Sequence, residues 1–278
     1  MSVSSSSSAI HPFSAEPNPE KPLLLGCGEV HLWCVFSDLI FDVNLLKKYK
    51  DILSVEENQK ASRFYRHHDR QQFLLTRTTI RTLLSLYEPD VAARDWDFGK
   101  DNYGKPFIKN YHIIDDMQFS ISHSRGLVVV ALTRGSPIGV DVEATNGNGD
   151  NLGLAKRYFS KEEYANLTAL PIEDQNKRFF DLWTLKEAYI KACGEGLSIP
   201  LDSFWYEFTD GGEMSIDFLP IRNDCANAWF FCQLYPSQMH VISVAVKKSE
   251  IENVADPIVS VNKYLPLMYA ETVNCVEY

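Results

Sequence analysis

The segment Trp183–Gly194 most constrains the fold, because it has the pattern of a helix yet carries charge on the face that should pack. On a helical wheel of about 100° per residue, the apolar residues of 179–193 form one continuous arc. Lys186 falls in the middle of that arc. Glu187 falls at its edge, and Lys191 lies one turn later on the same side. Because a buried charge costs free energy unless it is paired or bound, this helix is expected to border a binding site as well as a core.

A second pair of acidic residues lies in Ile138–Glu143, which has the pattern of a strand. Asp141 and Glu143 occupy positions i and i+2, so both carboxylates project from one face, with Cα atoms about 6.6 Å apart. Oxygen ligands without a thiolate favour Mg²⁺, or alternatively Mn²⁺, over Zn²⁺. Each pattern alone also fits solvated surface charge. Together they predict a metal and phosphate site of three carboxylate ligands and two lysines: Asp141, Glu143, Glu187, Lys186 and Lys191.

The stretch Phe119–Ser124 brings hydroxyl groups and an imidazole to the end of a predicted strand. No G-x-S-x-G turn surrounds these serines, which argues against a nucleophilic serine. His123, with Ser122 beside it, is therefore the candidate contact to a phosphate or ribose. The alternative for His123 is a hydrogen-bonded structural histidine.

Charge and composition narrow the classes of partner. The chain of 278 residues has a net charge of −10, yet the span from Lys47 to Arg81 holds nine basic and only four acidic residues. That span suits an anionic partner, whereas so acidic a chain is not expected to bind nucleic acid. The apolar runs are too short to cross a membrane, and the six cysteines show no C-x-x-C pair. A reduced, cytoplasmic protein without a membrane anchor is the expectation.

The order of elements predicts an α+β fold of two similar halves, each a small, mostly antiparallel sheet packed on a long helix and related by a pseudo-twofold axis. A hairpin is expected over Leu127–Glu143, and Ser160 to Glu163 has capping-box spacing for a helix start. The predicted strands are 29–36, 117–122, 203–208, 214–218, 228–234 and 239–247, and the predicted helices are 55–65, 68–87 and the helix between Pro171 and Gly194. The predicted organisation is a disordered Ser-rich tail (1–21), an N-terminal half (22–136), a C-terminal half with the metal site at the interface (137–247) and a peripheral segment (248–278).

Four segments together resemble a known enzyme family. Tyr103–Pro106, Phe119–Ser124, Ile138–Glu143 and Trp183–Lys191 are similar, in order and spacing, to motifs of the 4′-phosphopantetheinyl transferases. G-[VI]-D-[VI]-E followed some 40 residues later by W-[ST]-x-K-E-[AS]-x-x-K is a specific pair, although neither motif is specific alone. The resemblance covers roughly residues 28–247, and its length resembles the long, monomeric, surfactin-synthetase-activating type.

This resemblance implies a reaction. The enzyme would transfer 4′-phosphopantetheine from coenzyme A to a serine of an acyl, peptidyl or polyketide carrier protein, as a holo-[acyl-carrier-protein] synthase does. The other product would be adenosine 3′,5′-bisphosphate. The alternatives are a non-catalytic coenzyme A-binding protein and another Mg²⁺-dependent phosphoester enzyme. Glu187 would act as a base or only as a metal ligand, with Asp141 and Lys191 as the other catalytic residues.

The resemblance also implies how coenzyme A is held. Lys191 would contact the pyrophosphate beside Mg²⁺, while His123 and the basic region of the preceding helices would hold the 3′-phosphate. Gln71 and Gln72 depart from the family, since many members carry a further basic residue after the pair that matches Asp69-Arg70. The residues so implied are Lys60, Arg63 and Arg70 for the 3′-phosphate, and Gly104, Lys105 and Pro106, in the Tyr103–Pro106 turn, for the adenine.

Overall fold

The computed structural model describes residues 22–37, 43–110, 116–147, 149–209, 214–248 and 255–276. It confirms the α+β class, with small, mostly antiparallel sheets and one long helix in each half. The Ser-rich tail predicted over residues 1–21 lies outside the described residues. Within the described part of the chain, no helix is long and apolar enough to cross a bilayer.

The described residues of the N-terminal half form three α-helices and most of the larger sheet. Trp33 of its first strand packs in one core with Tyr49, Ile80 and Leu83 of two helices, all of them buried. Burial of such large apolar side chains is the main driving force for folding of this half. Its elements are β1 (Glu29–Phe36), α1 (Val43–Ile52), α2 (Val55–Arg63), α3 (His67–Tyr87), β2 (Phe98–Lys100), β3 (Pro106–Ile108), β4 (Met117–Ser124) and β5 (Leu127–Arg134).

The C-terminal half packs one long helix, α6, on a three-stranded antiparallel sheet of order β6-β10-β9. The predicted capping box is confirmed, since Ser160 Oγ accepts from the Glu163 amide. The long helix ends as predicted at Gly194, whose φ of 74° suits glycine. Its elements are β6 (Ile138–Ala144), α4 (Asn151–Tyr158), α5 (Lys161–Ala169), α6 (Ile172–Cys193), β7 (Phe204–Phe208), β8 (Met214–Phe218), β9 (Trp229–Ser237) and β10 (His240–Lys247).

An apolar cluster joins the sheets of the two halves, because β5 is buried on both faces. Alternate residues of β5 contact different cores, which explains why its sequence is a continuous apolar run. On one face, Val128, Val130 and Leu132 join the core of the N-terminal half. On the other face, Leu127, Val129 and Ala131 pack in a cluster with Val140, Ile242 and Val244 of the second sheet.

The predicted hairpin over Leu127–Glu143 is wrong. β5 pairs with β1 and β4, whereas β6 pairs with β10 in the other sheet. The actual hairpin is β4–β5, which turns at Arg125–Gly126. A strand buried on both faces has the same local pattern whether its successor pairs beside it or crosses to a second sheet, so the pattern alone could not decide.

The prediction of a peripheral C-terminal segment is also wrong. Strands β11 (Ile258–Leu265) and β12 (Tyr269–Val276) return to the N-terminal half and complete a five-stranded sheet of order β12-β11-β1-β5-β4. β11 lies parallel to β1, and Tyr264 is buried with its ring centroid 5.7 Å from that of Trp33. Such parallel pairing joins two strands that are far apart in the sequence, which no local sequence pattern reports.

Replacing Tyr264 with alanine should destabilise the protein far more than replacing Ile258, which lies on the same strand but is 49% exposed. Tyr264→Ala removes a fully buried ring and should cost about 3–5 kcal/mol, whereas Ile258→Ala should cost less than about 1 kcal/mol. Urea denaturation followed by tryptophan fluorescence measures both. Equal losses would contradict the interior position of β11.

Candidate active site

Three serines at alternate positions of β4 join the two sheets. Ser120, Ser122 and Ser124 all face β6, because side chains alternate along a strand. The amides of Val140 and Ala144 donate to Ser120 Oγ and Ser124 Oγ, each at 3.0 Å. Both β4 and β6 are edge strands of their sheets, so the serine hydroxyls satisfy amides of β6 that no strand pairs with. We call these contacts the serine seam.

The middle serine of the seam and a lysine hold one oxygen of Asp141. Ser122 Oγ donates to Asp141 Oδ1 at 2.7 Å, and Lys191 Nζ donates to the same oxygen at 2.6 Å. Lys191 also donates to Ser122 Oγ at 2.9 Å and to the Val140 carbonyl at 3.1 Å. The other oxygen, Asp141 Oδ2, is buried and has no hydrogen-bond partner. Asp141 is thus rigidly oriented with one acceptor left for a ligand.

Two further carboxylates lie close to Asp141. Ser124 Oγ donates to Glu143 Oε2 at 3.2 Å, as Ser122 Oγ does to Asp141, so both carboxylates point to the same side of β6, as predicted. Burial, and next the negative charge of Asp141, raise the pKa of Glu143 to about 7. Burial and the same neighbouring charge also raise the pKa of Glu187. The cluster therefore holds more negative charge than Lys191 compensates.

The donor chemistry of this cluster fits a hard divalent cation. It offers carboxylate oxygens only, one of them buried without a partner, and a cation would offset the repulsion that raises both glutamate pKa values. Within the described residues, however, no three His, Cys, Asp or Glu side chains are already arranged to hold a metal ion. The assignment of Asp141, Glu143 and Glu187 as metal ligands stays a prediction.

A glycine allows α6 to approach β6 closely. A Cβ atom on Gly139 would lie 1.9 Å from the Ala188 carbonyl oxygen and 2.4 Å from the Ala192 amide nitrogen. Any side chain there would push the helix away from the strand. Since Glu187 and Lys191 lie beside these contact points on α6, Gly139 sets their distance from Asp141.

The turn Tyr103–Pro106 forms the other wall of a cavity of about 250 Å³ that also reaches Glu187 and Lys191. Asp101 Oδ1 shapes this turn by accepting from the amides of Tyr103 and Lys105, each at 2.9 Å. The predicted turn residues and the predicted helix residues therefore share one cavity. Its remaining lining comes from Phe119, Ser120 and Ile121 of β4 and from Ile190, Gly194 and Gly196.

The amino group of Lys105 ties the turn to the C-terminal half. Its Nζ donates to the carbonyls of Ile138 and Ala192, at 3.2 and 3.1 Å. Burial lowers the pKa of this lysine. The structure therefore places Lys105, like Gly104 and Pro106, at the cavity. Its charged amino group, however, binds the Ala192 carbonyl near the end of α6 and the Ile138 carbonyl of β6.

The basic residues predicted for the 3′-phosphate do not line this cavity. Lys60 and Arg63 are exposed at the end of α2, and Lys60 Nζ lies 5.1 Å from the Phe73 ring centroid. Arg70 Nη2 donates to the Phe64 carbonyl at 2.9 Å, which links α2 to α3. His123 is exposed at the end of β4.

A contact from α3 nevertheless brings this basic region near His123. Gln72 Nε2 donates to the Ser124 carbonyl at 3.0 Å, one residue beyond His123. Arg70 borders a second cleft of about 940 Å³ on the N-terminal half, together with His67 and His68. The start of α3, which carries Arg70, therefore lies near the end of β4, which carries His123.

The prediction that Lys186 contacts the cofactor is wrong. Its side chain is completely buried, and Nζ lies 2.8 Å from Glu163 Oε2. It also donates to the carbonyls of Leu201 and Phe204, each at 2.7 Å. All of these partners belong to the C-terminal half, so the contacts of Lys186 lie within that half. Its place in the apolar arc is explained by a structural ion pair inside the core.

Sequence reasoning missed the roles of three site residues. Ser120 and Ser124 join the sheets, and Gly139 admits the helix, yet none was a candidate. Serine at every second position of an otherwise apolar strand was the available signal, as was a glycine inside a strand. The partners of these residues lie in another sheet or helix, so the sequence pattern alone did not show what these residues contact.

Comparison with known proteins agrees with this geometry. The family model described as "4'-phosphopantetheinyl transferase superfamily" matches residues 137–245, and the one described as "4'-phosphopantetheinyl transferase, N-terminal" matches residues 44–134. The 4'-phosphopantetheinyl transferase HetI of Nostoc sp. is 33% identical over 233 residues, which cover 83% of this chain and 92% of that protein. The chain belongs to the 4′-phosphopantetheinyl transferase family.

The chain is also similar to other known proteins. The 4'-phosphopantetheinyl transferase Sfp of Bacillus subtilis is 37% identical over 180 residues, covering 64% of this chain and 77% of that protein. These matches identify this transferase as the long, surfactin-synthetase-activating type. Among solved structures, holo-[acyl-carrier-protein] synthase from Neisseria meningitidis is 18% identical with a TM-score of 0.32, covering 41% of this chain and 98% of that one.

Removing the buried amino group in Lys186→Met should destabilise the transferase by about 3–5 kcal/mol, because Glu163 would be left buried without its counter-charge. The double variant Lys186→Met/Glu163→Gln should recover part of that loss. Chemical denaturation of both variants measures the difference. If the single variant kept native stability and lost only coenzyme A affinity, Lys186 would be a ligand contact and not a core ion pair.

Proposed function

We propose that this transferase moves 4′-phosphopantetheine from coenzyme A to a serine hydroxyl of an acyl, peptidyl or polyketide carrier protein and releases adenosine 3′,5′-bisphosphate. The observation that carries the proposal is that Glu187 and Lys191 line the cavity with the Tyr103–Pro106 turn, while Lys191 binds Asp141 and the charges of Asp141 and Glu187 act on Glu143. Coenzyme A and carrier proteins are accordingly its partners. Holo-[acyl-carrier-protein] synthase activity and a monomeric state are further parts of the proposal.

The pyrophosphate of coenzyme A would lie beside the carboxylate cluster and Lys191. Lys191 is 30% exposed at its side chain, so its ammonium can contact a phosphate oxygen while staying near Asp141. The adenine would lie against the Tyr103–Pro106 turn on the other wall of the cavity. The cavity thus offers a basic group for the phosphates and the Tyr103 and Pro106 rings for the base.

Asp141, Glu143 and Glu187 would hold Mg²⁺, with Mn²⁺ as the alternative. The bound cation would neutralise charge on the pyrophosphate during transfer. The protein's own part is to present oxygens in a fixed place, which the Ser122 and Ser124 hydroxyls do by holding Asp141 and Glu143.

Glu187 is the candidate group for accepting the proton of the carrier serine. Its raised pKa makes it a stronger base than an exposed glutamate, which suits proton transfer near neutral pH. The other assignment is that Glu187 only binds the metal. The candidates for the 3′-phosphate remain His123, Lys60, Arg63 and Arg70. The contact of Gln72 with the Ser124 carbonyl holds α3 near His123.

Asp141→Asn and Glu187→Gln should each lower the rate of carrier loading at least about 100-fold, since each removes a preorganised electrostatic contact. Glu173→Gln, an exposed position on the same helix, is the matched control and should keep native activity. The assay incubates enzyme, coenzyme A, Mg²⁺ and an apo-carrier and follows the mass of the carrier.

The same assay separates the alternative functions. A gain of one phosphopantetheine per carrier supports the proposal, and thermal melts identify variants that merely fail to fold. Release of phosphate or pantetheine without carrier loading would indicate another phosphoester enzyme. Binding of coenzyme A with an unchanged carrier across a panel of carriers would indicate a non-catalytic protein.

Mg²⁺ affinity should rise with pH through about 7, because the raised pKa of Glu143 lets a proton compete with the cation below that value. At pH 6 about one-tenth of the molecules would have this carboxylate ionised, against about nine-tenths at pH 8, so the apparent affinity should change about tenfold. Calorimetric titration with Mg²⁺ at both pH values measures it. Glu143→Gln should weaken the pH dependence, and a flat profile for the unaltered protein would contradict the prediction.

A further inference from the structure

The turn that ends α6 forms part of the cavity wall and contains two glycines. Gly194 and Gly196 both line the cavity and have positive φ values of 74° and 57°. Glycine makes these conformations accessible, and it also leaves the chain free to adopt others. A Cβ on Gly196 would lie 3.8 Å from the Tyr103 carbonyl oxygen, so this turn faces the Tyr103–Pro106 turn directly. The width of the cavity depends on what holds the turn.

An arginine from outside the cavity lining holds the Gly194–Gly196 turn. Arg222 binds the carboxylate of Glu195, the residue between the two glycines, through Nη2–Oε1 at 2.8 Å and Nη1–Oε2 at 3.3 Å. Two parallel contacts between a guanidinium and a carboxylate fix orientation as well as distance. The Arg222 side chain is only 16% exposed, which shields this pair from solvent on one side.

Arg222 is itself fixed to the core of the C-terminal half. Its Nε donates to Tyr189 Oη at 2.7 Å, and Tyr189 Oη donates to Asp224 Oδ2 at 2.7 Å. Asp224 Oδ1 in turn accepts from Trp229 Nε1 at 3.0 Å. Burial raises the pKa of Tyr189, so its phenol stays protonated and donates to Asp224. The chain of contacts thus runs from β9 to the cavity wall.

The same network touches α6 between the two groups that face the carboxylate cluster. Tyr189 lies two residues after Glu187 and two before Lys191, and its ring is completely buried. Arg222 Nη2 also approaches Cys193 Sγ, at 3.3 Å, in the last turn of the helix. Arg222 therefore contacts both the end of α6 and the turn that follows, while its guanidinium stays outside the cavity lining.

We infer that Arg222 is a positioning residue for coenzyme A: by holding Glu195, it keeps the Gly194–Gly196 turn at the distance from the Tyr103–Pro106 turn that the nucleotide requires. This inference rests on the proposed placement of the nucleotide in the cavity. Arg222 should act on binding, because its contacts are with Glu195 and the end of α6, whereas the Asp141 carboxylate is oriented by the Ser122 hydroxyl and Lys191.

The test compares four single variants and one double variant with the unaltered protein. Arg222→Met removes the guanidinium that binds Glu195, and Arg222→Lys keeps the charge but loses the two-point contact. Glu195→Gln alters the partner without touching the core network, and so covers the case in which Arg222→Met fails to fold. Arg178→Met is the matched control, since that guanidinium packs 3.9 Å from the Phe208 ring in the same half.

Steady-state carrier loading gives KM and kcat for coenzyme A, and calorimetry gives the Kd of adenosine 3′,5′-bisphosphate. Arg222→Met should raise both KM and Kd about five- to tenfold, with kcat within about twofold of the unaltered protein, as loss of one charge-assisted contact predicts. Arg222→Lys and Glu195→Gln should show smaller rises. The double variant Arg222→Met/Glu195→Gln should be no worse than Arg222→Met, because both changes break the same contact.

A purely structural role would lower the melting temperature and the active fraction while leaving KM and Kd unchanged, and that result overturns the inference. The inference also fails if Arg178→Met raises KM as much as Arg222→Met does. If the unaltered protein neither loads a carrier nor binds the bisphosphate, the proposed function fails and this inference with it. If the unaltered protein does both and the Arg222 variants match it, only the inference fails.

Discussion

The rest of the site depends on the serine seam between β4 and β6. Its hydroxyls satisfy amides at the edge of one sheet with side chains from the edge of another, so the two halves meet without a continuous backbone ladder. The middle serine then orients Asp141, and the last one orients Glu143. The hydrogen bonds that join the halves therefore also position the carboxylates. The geometry of the site thus depends on how the two halves pack together.

Helix α6 shows how one element serves a core and a site. Lys186 points into the core and is neutralised by Glu163, whereas Glu187 and Lys191 point toward Asp141 and the cavity. The difference follows from the helical period, since one residue step turns the side chain by about 100°. Gly139 lets the helix approach β6 closely enough for the second pair to reach the strand. The charges on and beside the apolar arc of α6 therefore have two separate roles: Lys186 forms an ion pair in the core, and Glu187 and Lys191 belong to the site.

The family motifs predicted much of the site because they lie on single elements. Asp141 with Glu143, and Glu187 with Lys191, each follow from the period of one strand or one helix, and the structure brings the two pairs together. The larger errors came where pairing joins distant parts of the chain. β5 and β6 belong to different sheets, and β11 returns beside β1, because hydrogen-bond partners of a strand are set by global packing and not by its own pattern.

By itself, the sequence determined the α+β class, the long helices, the capping box at Ser160 and the residue types that can bind a cation and phosphates, since all of these depend on local periodicity and side-chain chemistry. Only the tertiary structure decided that Lys186 serves the core, that the serines of β4 hold the carboxylates, and that Arg222 binds Glu195 in the turn after α6. Each of these roles is a contact between elements far apart in the chain, and the free energy of such a contact depends on burial and distance that no local pattern contains.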